Sequence, residues 1–111
     1  MILRGEVYDV DLGQPVGHEP ARLRPAVVVS SDIISNSVGG LVAVAPISSR
    51  SYGLRSHVEL DSADSGLAYV SFARCDQLRC VAVERLDRRR GAASAAEMAC
   101  IDTALRFVLD L

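Results

Sequence analysis

The hydrophobic residues of this chain fall into short apolar runs and alternating stretches, a pattern that predicts a protein built mainly of β-strands. Residues 26–29 and 41–47 are apolar almost without a break, which is typical of strands buried on both faces. Pro25 marks the start of the first run, because proline has no N–H for a β-ladder. Pro46 near the end of the second run predicts a break in the ladder or a sheet edge at that point.

Alternation predicts further strands on either side of these two. In residues 6–12, Tyr8, Val10 and Leu12 share one side and are predicted to face the core, with Val7 on the opposite side. Residues 57–60 alternate in the same way, and a longer signal over 69–81 is predicted to bend near Asp76. The run of Arg85, Arg88, Arg89 and Arg90 is interpreted as a solvated face, and its alternatives are attraction of phosphate groups or of an acidic partner segment.

Helical signals are confined to two places. A short turn is predicted over residues 32–36, capped by Ser31 or Asp32. Ser94 and Glu97 have the spacing of a capping box, so that a helix is expected from there to about Leu109. Its apolar stripe would dock on the sheet, while Glu97 would face water.

These elements predict a mainly β (α+β) fold: a small SH3-like barrel of five to seven bent antiparallel strands with a C-terminal α-helix. The length of 111 residues fits one domain that spans residues 1–111. Strands do not alternate with helices, which argues against a Rossmann-type parallel sheet.

Composition limits the possible functions. The net charge of −2 argues against an indiscriminate polycation, although all twelve basic residues are arginine. The three cysteines lack the spacing of a zinc site, so we expect reduced, mostly buried thiols, no metal and no cofactor. Residues 1–5 lack the apolar region of a signal peptide and no run is long enough to cross a membrane, so we expect a cytoplasmic protein.

Polar residues at the ends of the two apolar runs are the candidates for chemistry. Arg24 precedes the first run, and Ser48 and Ser49 follow the second. If these strands are antiparallel neighbours, a guanidinium and a hydroxyl meet at one edge and can bind an anion. The long loop 13–23, which contains His18 and Glu19, could cover such a site. The alternative for Arg24 is an ion pair with a surface carboxylate.

Ordered motifs along the whole chain resemble those of the MazF/PemK toxins. The motifs are Arg4-Gly5-Glu6-Val7-Tyr8, Asp11-Leu12, Gly17-His18-Glu19, Arg24 to Ser30, Ala45 to Ser49, Gly66-Leu67, Gln77-Leu78-Arg79 and Glu84-Arg85-Leu86, with the final helix. The resemblance implies a dimeric toxin of a toxin–antitoxin pair that cleaves single-stranded RNA without a metal.

The resemblance also implies roles for particular residues. Arg24 matches the catalytic arginine of the family, and Ser48 stands where the family has threonine or serine. Six further residues are expected to contact RNA: His18, Glu19, Ser49, Arg50, Tyr52 and Gln77. His18 departs from the family, which commonly has a small polar residue there, and its alternative is a solvated loop residue. The alternative for Tyr52 is a surface residue without a ligand. The implied partners are a second copy of the chain, a cognate MazE-like antitoxin whose tail covers the RNA site, single-stranded RNA, and operator DNA only through the antitoxin.

Two other functions are compatible with the same motifs. A non-catalytic inhibitor on this fold, such as a gyrase poison, would not need the pair of Arg24 and Ser48. A degraded copy would bind antitoxin and help to repress its operon without cutting RNA. RNA cleavage in excess chelator distinguishes the endoribonuclease from both.

Overall fold

The structure of the protein is a computed structural model that describes residues 1–14, 16–18 and 22–111. It contains the following seven strands and two helices: β1 (Glu6–Asp11), β2 (Leu23–Val28), α1 (Asp32–Ser35), β3 (Leu41–Ser48), β4 (His57–Leu60), β5 (Ser71–Arg74), β6 (Arg79–Ala82), β7 (Leu86–Ala92) and α2 (Ala95–Leu109). Short 3-10 turns occupy Ala63–Ser65, Cys75–Gln77 and Val83–Arg85. No helix in the described ranges is long and apolar enough to cross a membrane.

All strand pairings are antiparallel, and the order across the sheet is β4-β5-β3-β2-β1-β7, with β6 also paired to β3. The predicted mainly β fold with a C-terminal helix is therefore confirmed. In the part of the chain that the structure describes, β4 and β7 do not pair, so the sheet is not closed.

The sheet buries apolar side chains on both of its faces. One cluster packs against α2 and includes Val7, Val27, Ile47 and Ile101. The other cluster lies on the opposite face and includes Val10, Ala26 and Val44, among others. The prediction that Val7 points away from the core was wrong, because each face of β1 has a core of its own.

The central strand β3 changes partners along its length. Residues Leu41–Val44 pair with β6, whereas Ile47 and Ser48 pair with β5. Pro46 lies between these two ladders. On the side of β3 that faces β5 and β6, its missing N–H therefore costs no hydrogen bond. The predicted break in the ladder at Pro46 is confirmed, although Pro46 is buried inside the sheet and not at its edge.

The C-terminal helix begins as the sequence predicts. The Ser94 hydroxyl accepts from the backbone N–H of Glu97, and the Glu97 carboxylate accepts from that of Ser94. The expectation that Glu97 faces water was wrong: its other carboxylate oxygen accepts from the backbone N–H groups of Asp61 and Ser62, and it is 8% exposed. The helix is therefore anchored to the turn that follows β4.

The arginine run lies mostly on strand β7. Arg88 and Arg89 are exposed, in agreement with the interpretation of a solvated face, although Arg89 and Arg90 also pair with acidic side chains of β1.

Two other expectations need correction. The signal over 69–81 forms two strands and not one, and the predicted bend near Asp76 is the 3-10 turn between them. Only Cys75 is buried, whereas Cys80 and Cys100 are exposed. Burial raises the pKa of the Cys75 thiol to about 11, with a smaller contribution from Asp76.

Candidate active site

The residues at the ends of β2 and β3 line one cavity of about 430 Å³, which we call the Arg24 cavity. Ala26 pairs with Pro46, so the same register extended by two residues places Arg24 opposite Ser48. Arg24, Pro25, Ser48 and Ser49 all line this cavity. The expectation that the two strands are antiparallel neighbours is confirmed, and Arg24 and Ser48 lie together.

The position of Arg24 differs from the sequence prediction in one respect. It is the second residue of β2, paired with Val10, and not a loop residue before the strand. Its Nε is buried without a hydrogen-bond partner among the described residues, and its Nη1 is 3.5 Å from the Ile47 carbonyl oxygen. No ion pair of Arg24 occurs among the described residues. A buried, unpaired guanidinium donor is costly without a ligand, because it has lost its water.

The hydroxyl of Ser48 fixes the start of the loop after β3. Ser48 is buried and its Oγ accepts from the backbone N–H of Arg50 at 3.2 Å. The hydroxyl proton remains available to donate to a ligand in the cavity. A guanidinium and a hydroxyl donor on adjacent strands make the Arg24 cavity suitable for a phosphate group.

A second guanidinium in this cavity was missed by sequence reasoning. Arg90 on β7 lines it, and its head group donates to the Gly66 carbonyl oxygen and to Asp9. The arginine run was visible in the sequence, but alternation alone could not show that Arg90 lines the same cavity as Arg24. The backbones at Gly66 and Arg90 approach each other closely, since a Cβ added to Gly66 would lie 2.0 Å from the Arg90 carbonyl oxygen.

The other predicted RNA contacts lie mainly in a second cavity of about 430 Å³, the Arg74 cavity. It is lined by His18, Tyr52, Leu54, His57, Arg74, Asp76 and Gln77. Of the predicted contacts, Ser49 lies in the Arg24 cavity, and His18, Tyr52 and Gln77 in the Arg74 cavity. Arg50 lies in the loop between β3 and β4, and Glu19 is outside the described residues. Arg74 and His57 were not predicted as contacts.

The two cavities are related through the pairing of β3 with β5. Ser48 pairs with Phe72, and Arg74 is two residues further along β5, so their side chains share a face. In such a diagonal pair the two Cα atoms are about 7–8 Å apart. One residue of each cavity is therefore within the reach of a single extended ligand, although the two cavities share no lining residue.

Comparison with known proteins decides the family. A family model described as "PemK-like, MazF-like toxin of type II toxin-antitoxin system" matches residues 3–109. The chain belongs to this toxin family. The resemblance seen in the ordered motifs is thereby confirmed.

Individual relatives of this toxin agree with the assignment. It is 40% identical to the endoribonuclease MazF9 of Mycobacterium tuberculosis, over all of the chain and 98% of that protein. It is 30% identical to the endoribonuclease EndoA of Bacillus subtilis, over all of the chain and 97% of that protein. A mycobacterial endoribonuclease solved with its cognate antitoxin shares the fold, with a TM-score of 0.83 at 24% identity over all of the chain and 97% of that structure.

Proposed function

We propose that this protein is the toxin of a toxin–antitoxin pair, a metal-independent endoribonuclease that cleaves single-stranded RNA at specific short sequences. It would act in the cytoplasm, on mRNA, and inhibit translation and growth. The observation that carries the proposal is the guanidinium of Arg24, whose buried Nε has no partner among the described residues, opposite Ser48 in one cavity, in a chain that belongs to this toxin family.

The reaction we assign is an in-line attack within the RNA chain. The ribose 2′-oxygen bonds to the adjacent phosphorus and loses its proton, while the bond from phosphorus to the 5′-oxygen breaks. The leaving 5′-oxygen takes up a proton. The products are a 2′,3′-cyclic phosphate and a 5′-hydroxyl end.

Arg24 stabilises the charge that develops on the phosphate oxygens and can donate a proton to the leaving oxygen. It does not act as a base, because a guanidinium stays protonated and has no lone pair that can accept a proton. Its place at the end of a paired strand holds the donors before substrate arrives, which is the condition for effective electrostatic stabilisation. Ser48 donates from its hydroxyl and orients the same phosphate.

The flanking nucleotides would lie along the two cavities. Ser49 in the Arg24 cavity and Arg50, whose backbone N–H donates to Ser48, would extend the phosphate contacts. His18, Tyr52 and Gln77 would contact bases in the Arg74 cavity. Tyr52 is 67% exposed and offers a ring on which a base can stack. Glu19 is retained as an RNA contact from the family resemblance alone.

The proposed partners follow from family membership and from the surface. The antitoxin would place an acidic, partly disordered tail over the Arg24 cavity and fold as it binds. Operator DNA would be bound only through the antitoxin. We also assign residues 1–111 to one toxin domain that forms a homodimer, because several large apolar side chains are exposed.

A non-catalytic inhibitor such as a gyrase poison, or an inactive copy that only helps repression, would have no use for the Arg24 and Ser48 pair. The test is cleavage of single-stranded RNA in excess chelator, with the product ends identified chemically. We expect cuts that leave a 2′,3′-cyclic phosphate and a 5′-hydroxyl. Folded protein that cuts no RNA, or products with a 3′-hydroxyl, would contradict the proposal.

A further inference from the structure

The Arg74 cavity contains three of the four buried side-chain atoms that have no hydrogen-bond partner in the described part of the chain. These atoms are Arg74 Nε, His57 Nδ1 and Gln77 Oε1, and the fourth is Arg24 Nε. Buried polar atoms are nearly always paired, so each exception requires an explanation. Here the exceptions cluster around one cavity, which indicates that a polar ligand completes them.

Arg74 presents an unused donor set. Its guanidinium carbon lies 5.5 Å from the centroid of the Tyr52 ring, within the range of a cation–π contact. No ion pair or hydrogen bond of the Arg74 side chain occurs among the described residues, although the cavity also contains Asp76. Its parallel N–H groups are therefore available to a ligand that carries two neighbouring acceptors.

Gln77 and Asp76 present acceptors beside these donors. The Gln77 Nε2 donates to the His18 carbonyl oxygen at 3.2 Å, whereas Gln77 Oε1 is buried and has no partner among the described residues. Asp76 Oδ1 is 3.3 Å from Nε2 of the nearly buried His57, and the Asp76 side chain is 39% exposed. The lining of the cavity thus combines guanidinium donors with carbonyl and carboxylate oxygens.

We propose that the Arg74 cavity binds a guanine base of the RNA substrate and that Arg74 is the residue that determines this specificity. The inference rests on the proposed function and extends it from the reaction to the bases around the cut. Arg74 lies diagonally from Ser48 on the same sheet face, so the guanine would be near the cleaved phosphate.

Guanine is the base whose edge matches this arrangement. Its N7 and O6 are adjacent acceptors, for which a bidentate arginine is the commonest specific contact. The neighbouring N1–H and N2–H₂ groups are donors, which the oxygens of Gln77 and Asp76 can accept. No other base presents two acceptors followed by two donors along one edge. Unstacked bases of single-stranded RNA are read in this way, with an aromatic ring or a guanidinium plane as a stacking surface.

The first experiment sequences the cleavage products of a randomised single-stranded RNA. Wild type should prefer guanine at one position near the cut, by about 5- to 150-fold over the other bases, which is the discrimination of one bidentate contact. Arg74→Ala should lose this preference and keep those at other positions. Arg74→Gln should shift it toward adenine, because an amide pairs with adenine N6 and N7. Arg106→Ala, which removes an exposed arginine on α2, is the matched control and should resemble wild type.

Two outcomes of this experiment would overturn the inference. One is a wild-type enzyme with no guanine preference at any position. The other is an Arg74→Ala enzyme that loses cleavage equally for all four bases, since a phosphate contact weakens binding uniformly. Circular dichroism shows whether both Arg74 variants fold. If Arg74→Ala is unfolded, the base preference of a folded Arg74→Gln still tests the inference.

A second experiment separates this inference from the proposed catalysis. Oligonucleotides with 2′-deoxyribose lack the attacking hydroxyl, so their binding to the full chain is independent of cleavage. In a fluorescence anisotropy titration, an oligonucleotide with guanine should bind more tightly than matched ones with adenine, cytosine or uracil, and Arg74→Ala should remove the difference. Equal binding by all four would refute the base assignment even if RNA is cut. A guanine preference without any RNA cleavage would refute the proposed function alone.

Discussion

At the scale of single residues, the contacts of an arginine head group separate structural arginines from candidate functional ones. Arg90 donates to Asp9 and to the Gly66 carbonyl oxygen, and Arg89 pairs with the buried Glu6. Arg24 and Arg74, in contrast, each keep a buried Nε without a partner. Because burying an unpaired polar group is costly, these two positions are the ones that a ligand would stabilise most.

Ser48 gives a prediction at this scale. Loss of one preorganised donor to a developing anion costs a factor of about 10²–10³ in rate. Ser48→Ala should therefore slow RNA cleavage by about that factor or somewhat less, whereas Ser48→Thr should be tolerated, because threonine supplies the same hydroxyl. The measurement is the single-turnover rate in chelator. An alanine variant as fast as wild type would remove Ser48 from the mechanism.

The sequence predicted the Arg24 and Ser48 pair because both residues adjoin apolar runs, and the ends of antiparallel neighbours meet. It did not predict Arg74 and Arg90. Arg74 lies at the end of β5, in a strand signal that predicts a bend near Asp76 but not which side chains the 3-10 turn at Cys75–Gln77 brings together. Arg90 lies in a charged segment whose partners, on β1, are about eighty residues away. Contacts of such separation are fixed by topology, which local patterns do not contain.

At the scale of elements, Glu97 joins the N-terminus of α2 to the turn after β4. Burial raises its pKa, but hydrogen bonds from Ser94, Asp61 and Ser62 outweigh burial and hold the pKa below its ordinary value of 4.5. A carboxyl group whose pKa is lower in the folded protein than in the unfolded chain stabilises the fold. This stabilisation is fully present at pH values above the pKa of the unfolded chain. That contribution is lost as the pH falls through the lower, folded-state value.

The prediction for Glu97→Gln follows from this sign. The free energy of unfolding of wild type should fall as the pH drops below about 4.5, and part of this fall should be missing in Glu97→Gln. At pH 7 the variant should be destabilised by about 1–3 kcal/mol, because the amide cannot accept all of these hydrogen bonds. Urea unfolding at several pH values measures both effects. Parallel pH profiles for the two proteins would contradict the role of this carboxylate.

Gly66 gives a second prediction for elements, since it brings the Ala63–Ser65 turn against β7. Its φ is +73°, and an added Cβ would lie 2.0 Å from the Arg90 carbonyl oxygen. Gly53 has a similar φ of +70° with no atom within 4 Å of its Cβ position, so it is a matched control. Gly53→Ala should cost about 1–2 kcal/mol of stability from the left-handed conformation alone. Gly66→Ala should lower the free energy of unfolding clearly more than Gly53→Ala does. Equal losses for the two variants in urea unfolding would mean that the backbone near Gly66 and Arg90 moves to accept the methyl group.

At the scale of the whole molecule, assembly is the property that remains a prediction. Large apolar side chains are exposed on α1 and in the segment after it. On α1, Ile33 is 83% exposed and Ile34 is 56% exposed, and Val38 is exposed in the following segment. A small domain that leaves such side chains in water gains by burying them against a second copy. We expect sedimentation equilibrium to show a homodimer at micromolar concentration. Monomer alone under those conditions would contradict the expectation.

The catalytic role of Arg24 is tested most directly by one measurement: the single-turnover cleavage rate of a single-stranded RNA by Arg24→Ala in excess chelator. Arg106→Ala serves as the charge-matched control, and circular dichroism confirms folding. We predict near-complete loss of cleavage for Arg24→Ala, poor rescue by Arg24→Lys, whose ammonium lacks the bidentate fork, and a wild-type rate for the control. A folded Arg24→Ala protein that cuts at the wild-type rate would contradict the mechanism.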